Sequence, residues 1–242
     1  MENNTSNYVY DNVTQINDDD SSRKYLAKVF TWMFVALGVS AFVAFEFFAN
    51  QSLMNLILVP GAGFTLLGYA AIFSPLVFSM VVSFGFNRIS YVAMLVIFMA
   101  YAVAIGITLS IFGIIFTEGS IFTVFLSASV VFGIMAIAGY TTHQDLTQFG
   151  SILRIVLFGA FAVWIINMFM HSAQVDYLIS FVFVAIMIGL TSYYVQMLKR
   201  IGAGIEYGTE ESKKLVIIGA FVLYTTFINL FMWMLRIFGR RR

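Results

Sequence analysis

The stretch Leu223-Tyr224-Thr225-Thr226-Phe227-Ile228-Asn229-Leu230-Phe231 lies inside an apolar run over 215–238, with Arg236 near its end. A helix of that length is enough to cross a bilayer, which takes about 20 residues. Its middle nevertheless carries a phenol, two hydroxyls and an amide. Polar groups at that depth are costly against lipid, so this segment reads as a membrane helix turned toward its neighbours.

Six further apolar stretches of comparable length follow the same pattern, over 25–49, 66–86, 91–116, 119–140, 151–170 and 176–197. The chain as a whole is 61% hydrophobic and 10% charged, with a mean hydropathy of +0.92, which is too apolar for a soluble domain. In lipid every backbone amide needs an internal partner, and the runs lack the ten-residue alternation of barrel strands. The expected fold is therefore an all-α membrane protein, a seven-transmembrane-helix bundle with its C-terminal helix at the centre. Residues 1–22 are polar, end in Asp18-Asp19-Asp20-Ser21-Ser22 and have no basic region of the kind that opens a signal peptide. They read as a short disordered tail, and residues 23–242 as one membrane domain.

Lys and Arg set the expected orientation. With the N-terminus in the cytoplasm, Arg23, Lys24, Lys28, Arg88, Arg154, Lys199, Arg200, Lys213 and Lys214 fall on or near that side. Only Arg236, Arg240, Arg241 and Arg242 fall opposite, although this basic tail pulls against the arrangement. Pro75 should kink the second segment and free a carbonyl that a neighbour must satisfy. Gly106, Gly113, Gly133, Gly139, Gly159 and Gly189 read as points of close helix approach. The span 198–214, rich in both signs of charge, reads as the longest internal loop.

Several function classes fall away. With no cysteine there is no disulfide, thiolate metal site or cysteine nucleophile, and no basic surface domain exists to bind nucleic acid. The two imidazoles, His143 and His171, sit in loops on opposite sides of the membrane. No His-Glu-x-x-His, Gly-x-Ser-x-Gly or buried carboxylate pair is present, so an enzyme is not expected, nor any cofactor or metal centre. A retinal protein needs a lysine in its seventh helix, and none lies between Leu215 and Phe238. The interiors of the third to seventh segments hold no Asp, Glu or Lys. Glu46 lies near the outer end of the first segment, Arg88 follows the second as a membrane-edge anchor, and Arg154 can snorkel. Uncharged polar groups gather instead at the end of the sixth segment (Thr191, Ser192, Tyr193, Tyr194, Gln196) and in the middle of the seventh. Thr225 and Asn229 share a face there. Interhelical hydrogen bonding and a lined polar path are the two readings of that cluster.

Five places resemble the BAX inhibitor motif family of small seven-helix membrane proteins. They are Ala27 to Met33, Tyr101 to Ser110, Gly139 to Thr147, Gly189 to Gln196 and the run Leu223 to Phe231, in order along nearly the whole chain. The resemblance implies a pH-sensitive calcium leak in which two aspartates share a proton and an arginine gates the pore. Here the positions similar to those aspartates hold Tyr194 and Thr226, which do not ionise near neutrality as carboxylates do, while Arg88 matches the arginine. Asp145, beside His143, remains in a loop, where a helix cap is the commoner role. The resemblance thus implies Arg88, Tyr193, Tyr194, Thr225, Thr226 and Asn229 as pore or gating candidates. It implies a bacterial inner (cell) membrane protein that leaks cations with altered or lost gating. It also permits a non-conducting regulator that binds membrane proteases.

Overall fold

The computed structural model describes residues 18–242 except 60, 62, 86–88 and 206–207. The fold is all-α. Its long helices are α1 (Asp18–Ala49), α3 (Leu66–Gly85), α4 (Tyr91–Ile115), α5 (Glu118–Thr141), α6 (Thr147–Met170), α7 (Ala173–Ala203) and α8 (Glu210–Phe238). A short α2 (Gln51–Met54) and a two-strand hairpin, β1 (Leu58–Val59) with β2 (Gly63–Phe64), fill the connection between α1 and α3. Gly61 and Gly63 turn that hairpin with φ of 81° and 89°, where a side chain would be strained. Among the described residues, α1, α4, α5, α6, α7 and α8 are each long and apolar enough to cross a membrane. Leu66–Gly85 is a helix of 20 residues as well. It runs through Pro75, and the Ala71 carbonyl that this proline leaves without its amide accepts the Ser74 hydroxyl at 2.8 Å.

The C-terminal helix lies at the centre, with α7 beside it. Of the most apolar stretch of α8, 61% of the residues are buried, and of α7, 56%, against 6% for α6. α8 packs on α7, α1, α5 and α4, whereas α6 packs chiefly on α7. The C-terminal helix is central as expected, and α7 shares the centre with it, because each presents more than one face to its neighbours. Phe183 stacks on Trp233 at 4.1 Å and Leu198 meets Gly219, so the two run antiparallel. That register sets Thr226 level with Thr191, and Tyr194 about one turn away along the axis. The outer surface is apolar, as lipid demands: Ile155, Phe158 and Phe169 on α6 are each more than 70% exposed.

Both ends of the bundle are tied. At the near end, where α1 begins, the Ser22 hydroxyl donates to the Lys199 carbonyl at 3.0 Å and the Tyr25 hydroxyl to that of Leu215 at 2.9 Å. The Tyr91 amide meets Glu210 at 3.4 Å there. At the far end, Arg236 pairs with Asp176 and Arg242 with Glu118, at 2.8 and 3.0 Å. Backbone bonds from Thr117 to Arg240 and from Arg242 to Ile115 hold the last residues against the α4–α5 connection.

Two expectations change. The charged span 198–214 is mostly helix, since α7 runs to Ala203 and α8 starts at Glu210. Its residues are good helix formers, the Thr209 side chain caps Ser212, and Glu210 reaches Lys214 at 3.8 Å. The helix α1 also begins at Asp18, so 18–22 belong to it; residues 1–17 lie outside the described part.

Four of the six interior glycines are at close approaches. A Cβ on Gly106 would come within 2.7 Å of the Ser40 carbonyl, and one on Gly139 would collide with the Ser192 backbone. Gly113 abuts Phe48 and Gly189 abuts Leu153, but Gly133 and Gly159 face open space, so their expected packing role does not hold. Gly139→Ala should destabilise the fold by about 1 to 3 kcal/mol through overpacking, while Gly133→Ala should be neutral or slightly stabilising. Thermal unfolding of the two variants in detergent distinguishes the sites; equal effects would remove the distinction.

Candidate functional site

The middle of the bundle holds a hydroxyl network rather than charges. The Tyr224 and Ser40 hydroxyls are 2.6 Å apart, and the Ser40 hydroxyl lies within hydrogen-bond reach of two carbonyls, Ala102 at 2.7 Å and Ala36 at 3.0 Å. Tyr224 is wholly buried and Ser40 1% exposed. A serine oxygen can accept from Tyr224 while its own proton goes to one of the carbonyls, so both hydroxyls are satisfied. Around them the rings of Phe78, Phe98, Tyr101, Phe221 and Tyr224 form one cluster, with Phe78 and Phe221 4.2 Å apart and Tyr101 edge-on to Tyr224 at 5.8 Å. Tyr101 reaches Thr225 at 3.4 Å. The network thereby joins α1, α4 and α8 where lipid offers no alternative partner.

The expected gating residues are only partly brought together. Thr226 is buried, and its hydroxyl donates to the Val222 carbonyl of its own helix at 2.7 Å. Thr191, at the same level on α7, does likewise to Met187 at 2.7 Å. Tyr194 faces elsewhere, with its ring 5.2 Å from that of Tyr193, and Arg154 lies 5.5 Å over the Tyr193 ring. No hydrogen bond links Tyr194 to Thr226 among the described residues. Asn229 is half-buried, one turn beyond Thr225, and its amide makes no hydrogen bond with the described residues. Arg88 lies outside the described residues.

A second polar cluster clasps the α5–α6 loop to the end of α7. Gln196 accepts the Leu146 amide at 2.9 Å and donates to the Gln144 carbonyl at 2.7 Å. Arg200 reaches Asp145 at 2.8 Å, and Lys199 caps the Tyr140 carbonyl at 3.1 Å. Asp145 accepts from both the hydroxyl and the amide of Thr147. It therefore supports the start of α6 from one residue before the cap position, which Leu146 occupies. Gln196 serves this clasp and not a polar path. His143 is exposed in the loop and belongs to neither cluster.

Reading the sequence missed Ser40, a lone hydroxyl inside the first apolar run, which was a usable signal. It also missed the Asp176–Arg236 pair, because antiparallel neighbours had to be known before those two charges could be matched. Among the described residues no group of three His, Asp or Glu could hold a metal ion.

Long apolar helices, an apolar exterior and polar groups gathered at the centre define a polytopic α-helical integral membrane protein. Its chain matches the family model described as "Inhibitor of apoptosis-promoting Bax1" over residues 22–242 and belongs to that family. It is 36% identical to "Inner membrane protein YbhL" of Escherichia coli K12 over 219 residues, covering 90% of this chain and 92% of the relative. It is also 31% identical to "Uncharacterized protein RP147" of Rickettsia prowazekii, with 93% and 92% covered. An "Uncharacterized membrane protein" of Streptococcus pyogenes, SpyM3_0260, is 31% identical, with 95% and 98% covered.

Two outcomes are expected. Tyr224→Phe and Ser40→Ala should each destabilise the protein by about 1 kcal/mol. The double variant should lose much less than the sum, because each hydroxyl is then relieved of an unsatisfied partner. Additive losses in a double-mutant cycle would mean the bond contributes nothing. The second outcome concerns pH. Hydrogen bonds from the Thr147 side chain and amide, with Arg200, lower the Asp145 carboxyl from its ordinary 3.8 to about 2. A lowered pKa gives stability that is complete above the ordinary value and lost as pH falls through the lowered one. Protection of the 142–147 amides against hydrogen exchange, corrected for intrinsic rates, should therefore stay constant from pH 8 to about 5 and fall in Asp145→Asn at every pH.

Proposed function

We propose that this chain is a cation leak of the bacterial inner (cell) membrane, calcium being the ion its family resemblance implies, with pH gating altered or lost. On this reading it crosses the membrane seven times with its N-terminus in the cytoplasm and is not an enzyme. The course of the chain supports seven crossings. α1 finishes at the far end, where Arg242 lies over Phe48, and α4 begins at the near end beside Glu210. The apolar helix Leu66–Gly85 is what lies between them. The near end carries Lys24, Lys28, Lys199, Arg200, Lys213 and Lys214, in keeping with a cytoplasmic side. Of the arginines opposite, Arg236 and Arg242 are held by carboxylates.

The observation that carries the leak is Asn229. An amide in the middle of a membrane helix without a protein partner calls for water or a passing ion. It lies one turn from Thr225 and Tyr101, whose 3.4 Å contact is long enough to open at little cost. Neutral oxygens attract a divalent cation weakly, so the flux should be slow.

A second reading, a non-conducting regulator that binds membrane proteases or other stress-response membrane proteins, is favoured by a different observation. Thr191, Thr226, Ser40 and Tyr224 are all closed on internal partners, and this leaves no continuous line of free oxygens among the described residues.

Calcium uptake by proteoliposomes separates the two. The leak reading expects uptake above that of protein-free vesicles, reduced severalfold in Asn229→Leu and nearly constant between pH 6 and 8. Tyr194→Asp combined with Thr226→Asp should introduce a pH response, since two close carboxylates titrate as a coupled pair. Uptake no greater than that of empty vesicles would leave the regulator reading.

A further inference from the structure

A groove of about 680 Å³ lies between α5 and the end of α8 at the far end of the bundle. Its volume falls within the roughly 300 to 1,000 Å³ of small-ligand sites. Among the described residues, Arg240 is the only charged one that lines it. Both backbone groups of Arg240 are pinned to residues of the same groove. Its amide donates to the Ser120 hydroxyl at 2.8 Å, and its carbonyl accepts the Thr117 amide at 3.0 Å. Its guanidinium has no carboxylate partner among the described residues. Thr117 stands at the cap position of α5, yet its side chain makes no capping hydrogen bond. A guanidinium fork with a spare hydroxyl beside it suits a phosphate.

Deeper in, the chemistry changes. From Thr117 down to Ser127 the lining follows α5 for about 15 Å into its apolar span. Thr123 and Ser127 turn their hydroxyls back to the carbonyls of Gly119 and Thr123, each at 2.8 Å, so this wall keeps no free donor. Met234 and Phe238 of α8 line the other wall, and Phe238 is 59% exposed where the helix ends. Gly119 keeps the groove open: a Cβ there would meet nothing within 4 Å. Glycine is a poor helix former, so its place on this face costs helix stability and leaves room instead. A free phosphate would fill only the arginine end and leave the long wall beneath it uncovered.

We infer that this groove holds one glycerophospholipid of the leaflet on that side, with its phosphodiester on Arg240 and Thr117 and an acyl chain laid along Thr123, Ser127 and Met234. The lipid then fastens the end of α8 to the start of α5. The site does not depend on whether the protein conducts ions.

The test is lipid binding by the full chain, stripped of lipid by repeated detergent exchange and followed by native mass spectrometry. Dioleoyl phosphatidylglycerol should bind at about one molecule per chain. Dioleoylglycerol, which has the same acyl chains and no phosphate, should bind at least tenfold more weakly, and millimolar inorganic phosphate should not displace the lipid. Arg240→Ala removes the guanidinium and keeps the backbone bonds, and Gly119→Trp fills the groove; each should weaken binding at least tenfold. Arg241→Ala, whose residue bridges to Phe116 and does not line the groove, should leave binding unchanged. The arginine variants remain informative if the tryptophan variant does not fold. Equal binding of dioleoylglycerol would show that no phosphate is read, and displacement by inorganic phosphate would make this a free-anion site. Either result, equal loss in Arg241→Ala and Arg240→Ala, or unchanged binding in Arg240→Ala would overturn the assignment.

Discussion

Lipid offers no hydrogen bonds, and that single constraint shapes most of what is seen in this bundle. Each buried hydroxyl has to find a protein acceptor, and most find the nearest one, the carbonyl four residues back. Thr191, Thr226 and Ser180 do this within their own helices. Ser40 and Tyr224 are different, since their bonds run between helices and reach α4. Such bonds are individually modest in membranes, about 0.6 kcal/mol on average, so their value lies in direction more than in strength. They set how α1, α4 and α8 face one another, and the aromatic cluster then fills the space that this orientation leaves.

Polar chemistry denied to the middle is concentrated at the two ends. The near end uses lysine, arginine and glutamine side chains to hold the α5–α6 loop against α7. The far end uses two ion pairs and a run of backbone bonds to hold the last residues of the chain. The ion-paired side chains are all partly exposed, so these pairs are individually weak. Their effect is geometric: they keep loops short and stop the helix ends from splaying. At the sides the packing is lighter, and α6 leans chiefly on α7.

This division bears on activity. Where the family resemblance implies two carboxylates, Tyr194 and Thr226 leave a neutral centre, and the Asp145 carboxyl, held low by Thr147 and Arg200, belongs to a loop clasp. A proton therefore has little to act on in the middle of the described bundle. What can change there is the set of hydroxyl and ring contacts, together with the half-buried amide of Asn229. A neutral core of this kind responds to packing.

Much was legible from residue order alone, because membrane insertion depends on composition along single segments. Apolar length placed all the long helices, and the polar middle of 215–238 marked α8 as an inward-facing helix. The motif run from Ala27 to Phe231 was sufficient to recognise the family. What the sequence could not supply was pairing across helices, which depends on rotation and register between segments far apart in the chain. Ser40 had no visible partner until α8 was set against α1, and Asp176 none until α7 and α8 were seen to run antiparallel. The same applies to glycines: Gly139 and Gly133 look alike in the sequence, yet one touches the Ser192 backbone and the other faces open space. Segment hydrophobicity is a local property and can be read residue by residue, whereas which face of each helix is buried is decided only when all of them pack together.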